Sequence, residues 1–186
     1  MRARIFKKFL ASFEKYTPSI IKRLQIQILL CATARAFDRP GKMVCHLSAD
    51  RALAAYAAYT RDCVETRAVA GKRIYQSAYR LGRLVRRISG FTESADLERL
   101  VFYLYSNIGI RVTGQLPGEI VIPACYFSSL YTPRQCRIMS LMDWGIIAGI
   151  CGGGKLVFTQ RLTQGCGSCR ACLIRKGVHR DEQCSK

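Results

Sequence analysis

Cys166-Gly167-Ser168-Cys169-Arg170-Ala171-Cys172 sets three thiols at C-x2-C-x2-C spacing. One tight turn can aim several sulfurs at a single point, which suits a metal ion or an iron–sulfur cluster. In the bacterial ferredoxin pattern a fourth Cys follows four positions later, and here Lys176 stands in that place. A fourth sulfur would then come from Cys125 or Cys136, upstream in the chain. The expected ligands are Cys125, Cys136, Cys169 and Cys172, with Cys166 as a substitute. An iron–sulfur cluster is the first expectation. Zinc is the alternative, although structural zinc sites usually carry two C-x2-4-C pairs. The only histidines are His46 and His179, too few for common hydrolytic machinery. The spacing carries its own test: if residues 166–172 lie in a regular strand, Cys169 and Cys172 point to opposite faces.

These residues need elements to hold them. Thr132-Pro133-Arg134-Gln135 is a helix start, with Thr132 as N-cap, Pro133 at the first helical position and Gln135 completing a capping box. The helix should run through Met142 and Ile147 to Gly152-Gly153-Gly154. Cys136 falls in its first turn, where backbone N–H groups favour negative charge, with Ser140 and Asp143 further along the same face. Cys136 and Asp143 are therefore the catalytic candidates, and Arg161 is the candidate for contact with a cofactor or substrate. Alternation at Ile108, Ile110 and Val112, a turn at Gly114 and Pro117-Gly118, and Ile120-Val121-Ile122 predict a hairpin. Pro123 should sit at a strand end or an edge. Two more strands are expected at Leu156–Leu162 and Ser168–Ile174.

Upstream the texture is helical. Apolar stripes begin at Ile5, at Ser19–Ala36, after Ser48 as N-cap, between Ile74 and Val85, and after Thr92 or Ser94 as cap. Cys31, Cys45, Cys63 and Cys151 read as packing residues on these stripes. The fold class is α+β: N-terminal helices packed on a small antiparallel sheet, with β-β-α-β-β order in the C-terminal half. Residues 1–176 form a single domain (1–105 helical, 106–176 sheet and cysteines), and 177–186 form a basic tail.

The net charge is +18, unevenly spread. Residues 1–40 carry nine basic side chains against two acidic ones, whereas residues 101–150 carry three against two. Such an excess favours anionic lipid or nucleic acid as partners, and Arg80, Arg83, Arg86 and Arg87 form a candidate phosphate-binding ridge. No apolar run approaches the roughly 20 residues of a spanning helix. Ile26–Ala34 reads as a buried helix, with a signal segment as the alternative. The expected location is cytoplasmic, with peripheral membrane attachment as the variant. Without export the ten cysteines are expected to stay reduced, with reactive thiols or a disulfide, or plain packing, as the alternatives to metal binding for Cys125, Cys136, Cys166, Cys169 and Cys172. Oligomeric state is not legible.

From Ile108 to Leu173 the layout resembles the L-2-amino-thiazoline-4-carboxylic acid hydrolase family and, more distantly, the 4-vinyl reductase type of ligand-binding domain. The residues that carry the resemblance are Cys125, Cys136, the helix with Asp143, the strand Leu156-Val157-Phe158-Thr159-Gln160-Arg161, and Gly165-Cys166 through Cys169. The iron-linked carotenoid isomerase family of plants shows a comparable Cys–helix–Cys order. Where relatives carry a C-x3-C pair entering the helix, this chain has Ser140. The resemblance implies either hydrolysis by a reactive cysteine or binding of a small, often apolar molecule. Together the residues predict a cysteine-ligated metal or iron–sulfur protein with a redox or small-ligand-sensing role. The alternatives are a thiazoline-hydrolase-like enzyme and a basic adaptor on lipid or nucleic acid.

Overall fold

The stripe from Ile5 forms α1 (Arg2–Phe13), and Pro18 sets the start of α2 (Ser19–Phe37). The computed structural model describes residues 2–13, 17–66 and 71–174. The tail expected at 177–186 lies outside them. The other N-terminal helices are α3 (Ala49–Thr66), α4 (Gly71–Ser89) and α5 (Ser94–Ser106). Ser48 caps α3 as expected, its Oγ accepting from the Arg51 N–H. Neither Thr92 nor Ser94 caps α5. Glu93 holds that position, and the Ser94 hydroxyl instead donates to the Leu116 carbonyl.

After α5 come β1 (Ile110–Gly114), β2 (Glu119–Cys125), α6 (Pro133–Cys151), β3 (Lys155–Gln160) and β4 (Cys169–Ile174). The order is helices followed by β-β-α-β-β, and the fold is α+β. All pairings are antiparallel, in the spatial order β1-β2-β4-β3. Ile120, Ile122, Leu156, Ala171 and Leu173 point from the sheet into the main core, together with Ile26, Leu30, Val64, Ile74 and Leu100 from the helices. Ile26–Ala34 is a core segment of α2. No described helix is long and apolar enough to cross a membrane.

Helix α6 holds the site, and three features fix it. Its capping box is complete: Thr132 Oγ1 accepts from the Gln135 N–H, and Gln135 Oε1 accepts from the Thr132 N–H. Gly152, at φ +87°, ends the helix in the left-handed region. Between these ends α6 crosses α4 at glycine contacts. A Cβ on Gly145 would lie 2.5 Å from the Ala78 Cβ, and one on Gly149 would lie 2.5 Å from the Tyr79 carbonyl oxygen. Only hydrogen fits there, so the two backbones approach more closely than side chains would allow.

Candidate functional site

Two register shifts aim the site residues. Arg111 pairs with Ala124, but Thr113 pairs with Val121, so β2 carries one extra residue. Without it Cys125, five residues after Ile120, would face away from the core. The bulge restores it to the inner face opposite Ile110. Pro123 lies within this bulge on an inner strand, not at an edge or strand end, because the bulge frees it from donating to a ladder. The second shift lies between Phe158 and Gln160, which pair with Ala171 and Arg170. It turns the following residue, Arg161, inward.

The outcome is a polar group around α6. Arg161 Nη2 donates to Ser140 Oγ at 3.1 Å, and Arg161 Nη1 lies 3.9 Å from the Cys136 sulfur. The guanidinium also lies over the Phe158 ring, 4.0 Å from its centroid. Ser140 thus serves as an anchor for this arginine. The Asp143 carboxylate accepts from the Tyr105 hydroxyl at 2.9 Å. Burial raises the Asp143 carboxyl to about 6, opposed by the Tyr105 hydrogen bond and the Arg161 charge. Its side chain lines a cavity and is part-accessible. Tyr105 is raised well above the ordinary tyrosine range by its own burial and by Asp143.

Three of the five expected cysteine ligands converge here. Burial pushes the Cys125 thiol up to about 12, against a hydrogen bond from the Phe127 backbone N–H, and Cys136 and Cys169 are close enough to add to the rise. Cys169 accepts from the Leu162 N–H at 3.2 Å and is likewise raised, mainly by burial. Cys136 meets a cation in Arg161, not a base. The other two do not join. Cys166 sits in the turn before β4, its N–H donating to the Arg161 carbonyl. Cys172 lies three residues after Cys169 on a regular strand, hence on the opposite face, and it is disulfide-bonded. A disulfide sulfur is no thiolate ligand, so Cys172 leaves the expected ligand set. The expectation that all ten cysteines stay reduced fails at the same residue. Among the described residues, no group of three or more His, Cys, Asp or Glu side chains is arranged to hold a metal ion. Of the cysteines assigned to packing, Cys63 and Cys151 are buried, but Cys31 and Cys45 are exposed.

The polar group borders a cavity of about 540 Å³. Cys125, Cys136, Ser140 and Asp143 line it, while Arg161, outside the lining, reaches Cys136 and Ser140. The remaining lining is overwhelmingly apolar, with Leu29, Leu100, Ile110, Phe127, Met139 and Met142 from both halves of the fold. Tyr56, Tyr105 and Tyr131 place their rings in it. Tyr56 and Thr33 share a hydrogen bond at 3.2 Å, and the Tyr131 ring stacks on Phe127 at 5.3 Å. Sequence reasoning missed these tyrosines: Tyr56 and Tyr105 sit at helical spacing, where they read as core, and Tyr131 lies in the connection before α6. The available signal was an excess of hydroxyls within apolar stripes.

No family model, curated protein or solved structure matches this chain, so its function is read from its own residues.

Proposed function

We propose that this chain binds a small, mainly apolar molecule bearing a polar head group, in a sensing or carrying role. The supporting observation is the cavity of about 540 Å³, mainly apolar, with Asp143, Ser140 and two thiols among its lining and a few further polar groups from Gln25 and four tyrosines. Its volume falls within the range of small-molecule sites, and a few placed polar groups amid apolar lining are what such sites use for orientation. The apolar body lies against Leu100, Met139 and Phe127. The head group meets Asp143 and the Tyr105 hydroxyl, and an anionic head also gains the field of Arg161. Titration with a long-chain fatty acid displacing an anilinonaphthalene fluorophore tests this. Met139→Trp with Ile146→Trp should occupy the cavity and weaken binding by about tenfold or more, with unchanged circular dichroism. Equal affinity in wild type and filled variant would place the ligand elsewhere.

A second reading keeps the three converging thiols as ligands of a metal or an iron–sulfur cluster. It is favoured by the donors at each sulfur: Phe127 N–H at Cys125, Leu162 N–H at Cys169, and Arg161 at Cys136. Such donors lower the energy of thiolates and tune clusters. The sulfurs are not now arranged as a binding set, so this reading requires side-chain rearrangement on loading. Iron, sulfide and zinc analysis after anaerobic purification decides it. Metal held by wild type and lost in Cys125→Ser and Cys169→Ser supports it; metal-free folded protein removes it.

A further inference from the structure

The cavity has an open side, and what surrounds that opening identifies what it faces. Seven large apolar side chains are conspicuously exposed among the described residues. Four of them, Leu24, Ile28, Leu84 and Ile88, also line the cavity, with exposures of 56%, 42%, 52% and 58%. A fifth, Ile20, stands one turn before Leu24 on α2 and is 65% exposed. Ile20, Leu24 and Ile28 recur every four residues along one side of α2, and Leu84 and Ile88 do so on α4. The exposed apolar surface is therefore concentrated at one mouth between two helices. Isolated exposed side chains need no explanation, but a contiguous patch marks an interaction surface.

Along α4, beside the mouth, every charged residue is basic, and the nearby acids Glu93 and Asp96 pair with Lys7 of α1. Arg80, Arg83 and Arg87 project from α4 and are exposed. With Arg86 they line a second, open cleft that contains no carboxylate. Leu84 belongs to both the apolar cavity and this basic cleft, so the two surfaces meet at one residue. No ion pair engages Arg80, Arg83 or Arg87 among the described residues.

We propose that this mouth docks on an anionic lipid bilayer and that the ligand passes between bilayer and cavity without crossing water. For the identity of the cargo this rests on the ligand-binding reading above; for the docking itself it rests on the patch and its arginines. An apolar strip beside cations matches a bilayer, with acyl chains below and anionic head groups above. A second copy fits poorly, because a two-fold contact through this face brings the arginine rows together. Nucleic acid would engage the arginines but leave the apolar strip facing water.

The test uses the full chain and vesicles of phosphatidylcholine with or without phosphatidylglycerol. Wild type should float with the anionic vesicles at physiological salt. Ile20→Asp with Ile88→Asp should reduce partitioning about tenfold, and Arg80→Gln with Arg83→Gln and Arg87→Gln should do the same. Met43→Asp, at another exposed apolar residue, should leave it unchanged. Failure of wild type to float sinks the proposal, as does binding untouched by the two aspartates. A dimer that the aspartates convert to monomer also overturns it, because a second copy then covers the mouth. A fluorescent fatty acid supplied in vesicles should reach wild type faster than the single variant Ile20→Asp, whose residue lies outside the cavity lining, with equal affinity when it is supplied in buffer. No binding in buffer by wild type defeats the cavity reading alone and leaves the flotation result standing.

Discussion

Asp143 is the residue whose environment makes the sharpest demand. Its carboxyl is raised to about 6 from an ordinary 3.8, with burial as the main cause. A raised carboxyl holds its proton more tightly in the folded than in the unfolded chain, so stability increases as pH falls from about 6 toward 4. At neutral pH the buried charge costs stability. Asp143→Asn keeps an acceptor for the Tyr105 hydroxyl and removes that charge. It should raise stability at pH 7 by about 1–2 kcal/mol, with the difference from wild type shrinking toward pH 4. Urea unfolding at several pH values measures it, and a constant difference would mean the carboxyl is not titrating there. A ligand that covers Asp143 should bind wild type more tightly as pH drops from 7.5 to 5.5, and the Asn variant should lose that slope. That Cys136 and Asp143 share a helix face was legible in their spacing, whereas Arg161 was only named as a candidate, and the register shift in β3 is what turns it toward them. Tyr105 was not legible: nothing in the spacing tells a hydroxyl aimed at a carboxylate from one aimed at water.

Among the elements, α6 carries the argument. Its capping box and terminal glycine are local devices, and both occur where the sequence put them. Thr132→Ala should cost about 1 kcal/mol, read as a lower midpoint in urea with an unchanged slope. The glycine crossing with α4 is different in kind. Gly145→Ala gains up to about 1 kcal/mol of helix propensity but drives a methyl into Ala78 and the Tyr75 carbonyl, a strain of about 1–3 kcal/mol. Strain prevails because the obstruction is largely backbone, so thermal unfolding should occur at lower temperature; a rise would show that the helices part freely. Gly145 and Gly149 were invisible in the sequence as packing devices, since the partner helix begins more than sixty residues upstream. The β2 bulge was equally illegible. The strand itself was expected, but strict alternation without the extra residue would turn Cys125 outward.

At the scale of the whole molecule, the cavity exists because helices and sheet both contribute walls and neither fills the space between. A ligand that binds only the folded chain raises its stability by about 2.7 kcal/mol at one hundred times its dissociation constant. Differential scanning fluorimetry with a fatty acid should show that rise in wild type and not in the Met139→Trp, Ile146→Trp variant. The sequence by itself determined what is local: helix periods, the cap of α6, the order of strands, the basic excess and the crowding of thiols near the C-terminal end. These depend on neighbours within a few residues, through backbone geometry and side-chain spacing. Only the tertiary structure decided which thiols meet. The β2 bulge turned Cys125 to the inner face, because in a strand a single inserted residue reverses every side chain beyond it, and the odd spacing from Cys169 put Cys172 on the other face of β4. It also decided that the exposed leucines and isoleucines of α2 and α4 share one opening, since which helix faces pair depends on long-range packing rather than on either helix alone.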